Sequence, residues 1–303
     1  MQWTILGAGA IGSLFATQLL RIGQSVNLLD TRHAQTPHQQ LHPMLLELLD
    51  GSVCMCELPC IGYRDLSAIG NLLVTTKVWQ VIPALKPLVG RLPETSPIIL
   101  LHNGMGTAEW LLRHFPHNPL LAGVTSCGAL KTDSKHIRHT GFGETWLGAL
   151  NSSGEQCREL VPYLADALGH TAWSEHIGER QWRKLVINAV INPLTAVWNQ
   201  PNGALLDRTE EVAALCQELH PLLVKQGFRE TPETWCRQVL QVADRTARNF
   251  SSMHQDIAYH RKTEIDYITG YLLQQAEKQG IDLPKHRQLY LKVKALESTC
   301  TNE

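Results

Sequence analysis

The chain has 303 residues, 44% hydrophobic and 18% charged, with a formal net charge of −1. That is an ordinary globular composition, and the length suits two domains. The near-neutral balance argues against nucleic-acid or membrane-surface binding, and no apolar run approaches the length of a membrane span.

The N-terminal string MQWTILGAGAIG has no basic leader and runs straight into strand-like residues, so a cytoplasmic chain without a signal peptide is expected. WTILGAG (3–9) reads as an apolar strand. IGSLFATQLLRIG (11–23) reads as a helix with Leu14, Leu19 and Leu20 as its packed face and Gly23 as its stop. SVNLLD (25–30) is a second strand, and further strands fall at 71–77, 96–104 and 119–126. GFGETWLG (141–148) fits one more, in antiparallel orientation. Short apolar strands with helices between them indicate a parallel sheet covered on both faces. Cys54, Cys56 and Cys60 lie in SVCMCELPC, whose alternation fits a strand better than a metal site, so reduced thiols and no metal are expected.

After Asn151 the texture changes. CRELVPYLADALG (157–169) is helical, and from Glu179 onward the apolar period stays near 3.6, most clearly at 211–228 and 256–280. The expected fold is therefore an α/β N-terminal domain with a Rossmann-like doubly wound sheet, residues 1–175, plus an all-α C-terminal domain, residues 176–303.

Gly7-Ala8-Gly9-Ala10-Ile11-Gly12 is G-x-G-x-x-G between a strand and a helix. In that context the glycines allow a tight turn and a close approach to a pyrophosphate, which the helix N-terminus then binds. Asp30 lies near where a carboxylate accepts from the ribose hydroxyls of NAD, whereas Arg32 suits the 2′-phosphate of NADP. The two signals conflict. Lys77 and Asn103 follow strand ends, the edge where such sheets bind ligands.

The second half carries a separate signal. In WRKLVINAVINPLTAVWNQPNG (182–203), Lys184, Asn188 and Asn192 recur at a spacing of four on an otherwise apolar helix, with Pro193 expected to kink it. The line could merely be the solvated edge of a packed helix, where lysine usually sits, although such an edge would favour better helix formers than asparagine. A lysine beside two amides instead suits a small polar acid, because hydride delivery to a ketone leaves negative charge on oxygen that an ammonium can stabilise and protonate. Ser252-Met253-His254-Gln255 fits a capping box, so Ser252 either caps its helix or meets a carboxylate there. Along that helix Asp256, His260 and Glu264 again follow a spacing of four, and His260 is read as an ordinary surface or packed residue.

Taken in order, GAGAIG (7–12), LLVTTKVWQV (72–81), LLHNGMGT (100–107), the string at 182–203 and SSMHQDI…KTEIDYITGYL (251–273) closely resemble ketopantoate reductase (2-dehydropantoate 2-reductase) over essentially the whole chain. The string at 182–203 is highly specific; the glycine loop is not. The resemblance implies reduction of 2-dehydropantoate to (R)-pantoate with NADPH, on the route to pantothenate and coenzyme A. It makes Lys184 the proton donor, places Asn188, Asn192 and Asn202 around the substrate, and puts Ser252 at its carboxylate end. It has Asn103 touch substrate and cofactor, Lys77 and Ala129 line the cofactor, and Glu264 lie near the nicotinamide. The ketoacid would enter a cleft between the domains. The family often carries an arginine just after the second strand; here the stretch is Asp30-Thr31-Arg32, so the match shifts by one residue. Competing readings are a dehydrogenase for another small 2-keto or 3-hydroxy acid and a non-catalytic NAD(P)H-binding sensor. Neither oligomeric state nor regulation is legible.

Overall fold

In the computed structural model the backbone is described for residues 1–29, 40–133 and 135–300, and side chains for the same residues except 40, 299 and 300. Asp30 and Arg32 lie outside the described residues. The chain divides into two compact units, Met1–His102 with Gly106–Gln181, and Asn103–Met105 with Trp182–Glu303.

The first unit contains β1 (Gln2–Leu6), α1 (Ala10–Arg21), β2 (Ser25–Leu29), β3 (Gln40–Glu47), β4 (Val53–Ile61), β5 (Asn71–Val74), α2 (Val78–Leu85), β6 (Ile98–Leu100), α3 (Ala108–His114), β7 (Leu120–Thr125), β8 (Gly128–Lys131), β9 (His136–Gly141), β10 (Thr145–Ala149), α4 (Leu160–Leu168) and β11 (Thr171–Trp173). The strands form one sheet in the order β11-β10-β7-β6-β5-β1-β2-β4-β3-β9-β8. The centre is parallel, β7-β6-β5-β1-β2-β4, as expected. The whole is mixed, because β10 runs antiparallel to β7, β3 to β4 and β8 to β9.

Central strands alternate two buried faces. Trp3, Ile5, Val26, Leu28, Leu73, Ile99 and Leu121 pack into one core, and Leu6, Leu29, Leu72, Val74, Ile98, Leu100 and Leu120 into another. The first core takes Leu14, Phe15 and Leu19 of α1 and Leu160 and Leu164 of α4; the second takes Val81 and Leu85 of α2 and Leu111 of α3. This is the double winding that continuous apolar strands require. Helix α1 is covered on more than one side: Gly12 through Leu19 are all buried, whereas Leu20, expected on the packed face, is only half-buried. Gly23 ends the helix with φ at +79°. In β4, outward Val53 and Met55 alternate with half-buried Cys54 and Cys56, so the cysteine cluster reflects a strand; Cys54, Cys56 and Cys60 are thiols.

The second unit is built from α5 (Ile177–Trp198), whose first turn lies in the first unit's range, then α6 (Thr209–Lys225), α7 (Pro232–Arg245), α8 (Ser252–Ala258), α9 (Thr269–Lys278) and α10 (Pro284–Cys300). Its core joins Leu185, Val186, Ala189, Val190 and Leu194 of α5 to Leu215 and Leu219 of α6, Trp235 and Val239 of α7, Met253 of α8, Leu272 of α9 and Val293 of α10. Helix α5 continues through Pro193. Its end has a left-handed Asn199, φ +53°, with Gln200 N–H donating to Thr195 O and Asn199 N–H to Ala196 O. Those paired bonds satisfy terminal carbonyls that a helix end leaves bare.

The single helix expected over 256–280 is corrected. Helix α8 stops at Ala258, His260 takes φ +53°, and Arg261 N–H donates to Asp256 O while His260 N–H donates to Ile257 O. This is a left-handed helix stop with histidine where glycine is commoner. A short turn over Ile265–Tyr267 precedes α9. Asp256, His260 and Glu264 therefore do not share a helix face.

Candidate active site

The parallel register lines up the carboxyl ends of four neighbouring strands: Leu6 is opposite Leu29 and Val74, and Val74 is opposite Leu100. Each end feeds an expected ligand segment: Gly7, the stretch 30–32, Lys77 and Asn103. The chain leaves β1 for β2 on one side and reaches β5 on the other, so β1 sits where the strand order reverses, the position at which such sheets bind ligands.

The three glycines of the loop do different work. Gly7 has φ +113°, and a Cβ there would lie 2.6 Å from Thr76 N. A Cβ on Gly12 would overlap Gly7 O and the Thr75 hydroxyl, so that glycine lets α1 press against the strand ends. The Thr75 hydroxyl fixes the turn by donating to Gly7 O at 2.7 Å. Gly9 differs: a Cβ there would meet nothing within 4 Å, so its backbone faces open space at the head of α1. No side chain caps α1 and its first turn holds no acid. A helix N-terminus with uncapped N–H groups beside open space suits a pyrophosphate, and the loop residues fit a dinucleotide on that ground.

Lys77 caps the start of α2 and is half-buried. Ala129 on β8 packs against the same core as Ala8 and Ile11 of the loop. Sequence reasoning missed Lys131, two residues further on, whose ammonium donates to Ala8 O at 2.7 Å. Its position 123 residues along the chain, on a strand that itself went unassigned, gave no local signal.

In the helical unit, the polar line on α5 is not a wet edge. Lys184 and Asn188 are half-buried and Asn192 is only 6% exposed. One turn on, the buried Thr195 hydroxyl donates to Ile191 O at 2.8 Å and lies within hydrogen-bond distance of the Ser251 hydroxyl, 2.7 Å, which can donate to it. This joins the Asn192 turn to the head of α8. The cap of α8 is Ser251, which accepts from His254 N–H at 3.1 Å, so the capping role expected for Ser252 is corrected by one residue. Ser252 is exposed in the first turn of α8, and its hydroxyl is spared from capping.

Asn103 meets Glu264: its amide donates to Glu264 Oε2 at 3.4 Å. Glu264 is 4% exposed. Gly104, with φ +76°, comes so close to Tyr267 that a Cβ would lie 2.8 Å from its carbonyl, and Met105 N–H donates to that carbonyl at 3.0 Å. The close approach read from the glycines of HNGMG is thus made to the 264–267 turn. Asn202 holds its own surroundings, donating to Thr246 Oγ1 at 2.9 Å, while its buried Oδ1 has no protein partner. His254 donates through Nε2 to Asn199 Oδ1 in the neutral form, and burial holds its imidazole below the ordinary histidine value.

The structure thus groups Gly7–Gly12 and Ala129 in the first unit, with Lys77 beyond a neighbouring strand end. In the second it links Asn103 to Glu264, and Asn192 to the segment that carries Ser252. Among the described residues no helix is long and apolar enough to cross a membrane, and no cluster of histidine, cysteine and carboxylate side chains suits a metal ion.

Known proteins share this plan. The family model described as ketopantoate reductase PanE/ApbA matches residues 3–152, and that described as ketopantoate reductase PanE/ApbA C terminal matches residues 176–297. The 2-dehydropantoate 2-reductase of Salmonella typhi is 39% identical over 98% of this chain and 96% of its own length, and that of Vibrio cholerae is 36% identical over 99% of each. Among solved structures, a probable 2-dehydropantoate 2-reductase of Bacillus subtilis superposes with a TM-score of 0.80 at 26% identity, covering 98% of this chain and 100% of its own. A D-mandelate dehydrogenase solved with NADH and anilino(oxo)acetate superposes with a TM-score of 0.89 at 22% identity, covering 99% and 100%, a likeness of fold. With both of its halves matched and its relatives aligned from end to end, the chain belongs to the ketopantoate reductase family.

Proposed function

We propose that this chain reduces 2-dehydropantoate to (R)-pantoate with NADPH, in pantothenate and coenzyme A biosynthesis. The single observation that carries the reading is the line Lys184–Asn188–Asn192, half-buried to buried on a helix whose apolar residues from Leu185 to Leu194 form a core. An ammonium and two amides on one helix face offer donors and acceptors that match the hydroxyl, carbonyl and carboxylate of a small ketoacid.

In this reading the glycine loop and Lys77 and Ala129 hold the dinucleotide, with Arg32 toward a 2′-phosphate. Held by these residues, the dinucleotide would supply a hydride for C2 of the substrate. Lys184 gives its proton to the carbonyl oxygen as the C–O π bond breaks, and regains one from water. Asn188 and Asn192 orient the substrate hydroxyl and carbonyl through amides that both donate and accept, Asn202 offers its unpartnered Oδ1, and Ser252 meets the carboxylate. Glu264 aligns the Asn103 amide beside the nicotinamide end and supplies a negative charge near the reacting groups.

An absorbance assay tests the proposal. Purified protein should oxidise NADPH on addition of ketopantoate, with kcat/KM at least about tenfold above that for NADH, and with the other 2-ketoacids slower. Tenfold corresponds to about 1.4 kcal/mol, the scale of one phosphate–arginine contact. A faster reaction with NADH would shift the weight to Asp30 and remove NADPH from the reading.

A further inference from the structure

We infer that Glu297, on α10, is a positioning residue that sets the Glu264 carboxylate for the reaction; this rests on the function proposed above. Glu264 makes no rigid element of its own, lying between α8 and α9 at the start of a short turn. What holds it is a set of side chains to either side in sequence. Before it, Thr263 N–H and Thr263 Oγ1 both donate to Glu297 Oε1, at 2.8 and 2.7 Å. The same Thr263 hydroxyl accepts from Ile265 N–H at 3.1 Å, so the hydroxyl spans Glu264 from one neighbour to the next. After it, Asp266 accepts from Tyr290 at 2.7 Å and from Lys294 at 3.2 Å. Lys294 also pairs with Glu297 Oε2 at 2.7 Å. One ammonium therefore ties together the carboxylates that grip the chain before and after Glu264.

The Thr263–Glu297 side of the group is shielded, while the Lys294 and Asp266 side chains are 34% and 31% exposed. The Glu297 side chain is 12% exposed, Thr263 is 1% exposed and Glu264 is 4% exposed. Burial depresses the Lys294 ammonium, but the Glu297 and Asp266 carboxylates outweigh it and leave its pKa raised, so the link is charged at neutral pH. The three side chains named here that reach Thr263 and Asp266 from outside, Tyr290, Lys294 and Glu297, come from one face of α10, at spacings of four and three. The turn they hold carries Asn103 through Glu264 and Met105 through Tyr267. Shifting Thr263 would move the carboxylate that aligns the Asn103 amide, and misplacement by about 1 Å costs on the order of a hundredfold in rate.

The test is a double-mutant cycle on the full-length protein with ketopantoate and NADPH. Glu297→Ala should lower kcat about 10- to 100-fold while the NADPH dissociation constant changes less than about threefold. Glu297→Gln keeps an acceptor for Thr263 and should recover kcat to within about threefold of wild type, as expected when the partner's hydrogen bonds are retained. Added to Glu264→Gln, Glu297→Ala should change kcat by less than about twofold, because its effect passes through Glu264. Wild-type kcat in Glu297→Ala, or losses that multiply in the double variant, would overturn the inference and leave Glu297 a stability residue. Should Glu297→Ala not fold, Thr263→Val carries the same comparison: kcat falls several-fold, or the inference fails. Absence of turnover by the wild type would instead remove the functional reading itself.

Discussion

At the scale of single residues, one position separates the capping serine from the one proposed to meet the substrate. Ser251 caps α8 and touches Thr195, whereas Ser252 is exposed and does neither. Ser251→Ala is expected to lower stability by about 1 kcal/mol, the usual cost of a lost cap. Ser252→Ala should leave the melting temperature unchanged and raise KM for ketopantoate several-fold; thermal melts and steady-state kinetics on both variants check the pair. The sequence allowed either role for Ser252 because Ser252-Met253-His254-Gln255 fits the capping-box spacing, whereas the helix is capped one residue earlier, by Ser251. His254 gives a second expectation. Burial lowers its folded pKa, so the unfolded chain, with a value of about 6.5, binds the proton more readily. The stabilising contribution is complete above that unfolded value and is lost as pH falls toward the lower folded value. His139 shifts in the same direction, burial outweighing the Gly141 carbonyl that accepts from it. In urea denaturation at about pH 7.5 and about pH 5.5, the gap between wild type and His254→Gln should narrow at the lower pH. A gap that widens on acidification would contradict the buried neutral imidazole.

At the scale of elements, the glycine loop makes the sharpest distinction. Gly12 is packed against Gly7 and Thr75 while Gly9 faces open space. Gly12→Ala should therefore lower stability by about 1–3 kcal/mol, the overpacking range, and weaken dinucleotide binding with it. Gly9→Ala should keep the wild-type melting temperature and weaken NADPH binding alone, since the added methyl meets only the ligand. Calorimetric melts with and without NADPH measure both. Elements with their own period were legible: α1, α5 and the central strands follow from local apolar spacing and from glycine stops such as Gly23. The break between α8 and α9 was not. The apolar period runs through 256–280, the left-handed position is a histidine with no glycine to announce it, and the bonds from Thr263 reach Glu297, 34 residues away. Strands β3, β8 and β9 were equally hidden, because Pro43 interrupts one and the others draw their pairing from distant segments.

At the scale of the whole molecule, the α/β-then-helical plan was readable because strand-like runs cease after the first half and the helical period then persists. The family was readable from strings distributed along the entire chain, and the matches to both family models bear it out. Sheet order was beyond local pattern: β3 extends the parallel centre by antiparallel pairing with β4 that only register reveals. The attachment of Asn103–Met105 to the helical unit was likewise unreadable, since its cause is contact with Glu264 and Tyr267 rather than anything in HNGMG itself. All of this serves one chemical claim, that the Lys184 ammonium protonates the oxygen of a ketoacid as hydride arrives. The most direct test is kcat for Lys184→Ala with ketopantoate, measured beside NADPH affinity by fluorescence titration. The account predicts a fall in kcat of about a hundredfold to ten-thousandfold, the worth of a positioned general acid, with the NADPH dissociation constant within about threefold of wild type. Turnover close to wild type in that variant would contradict it.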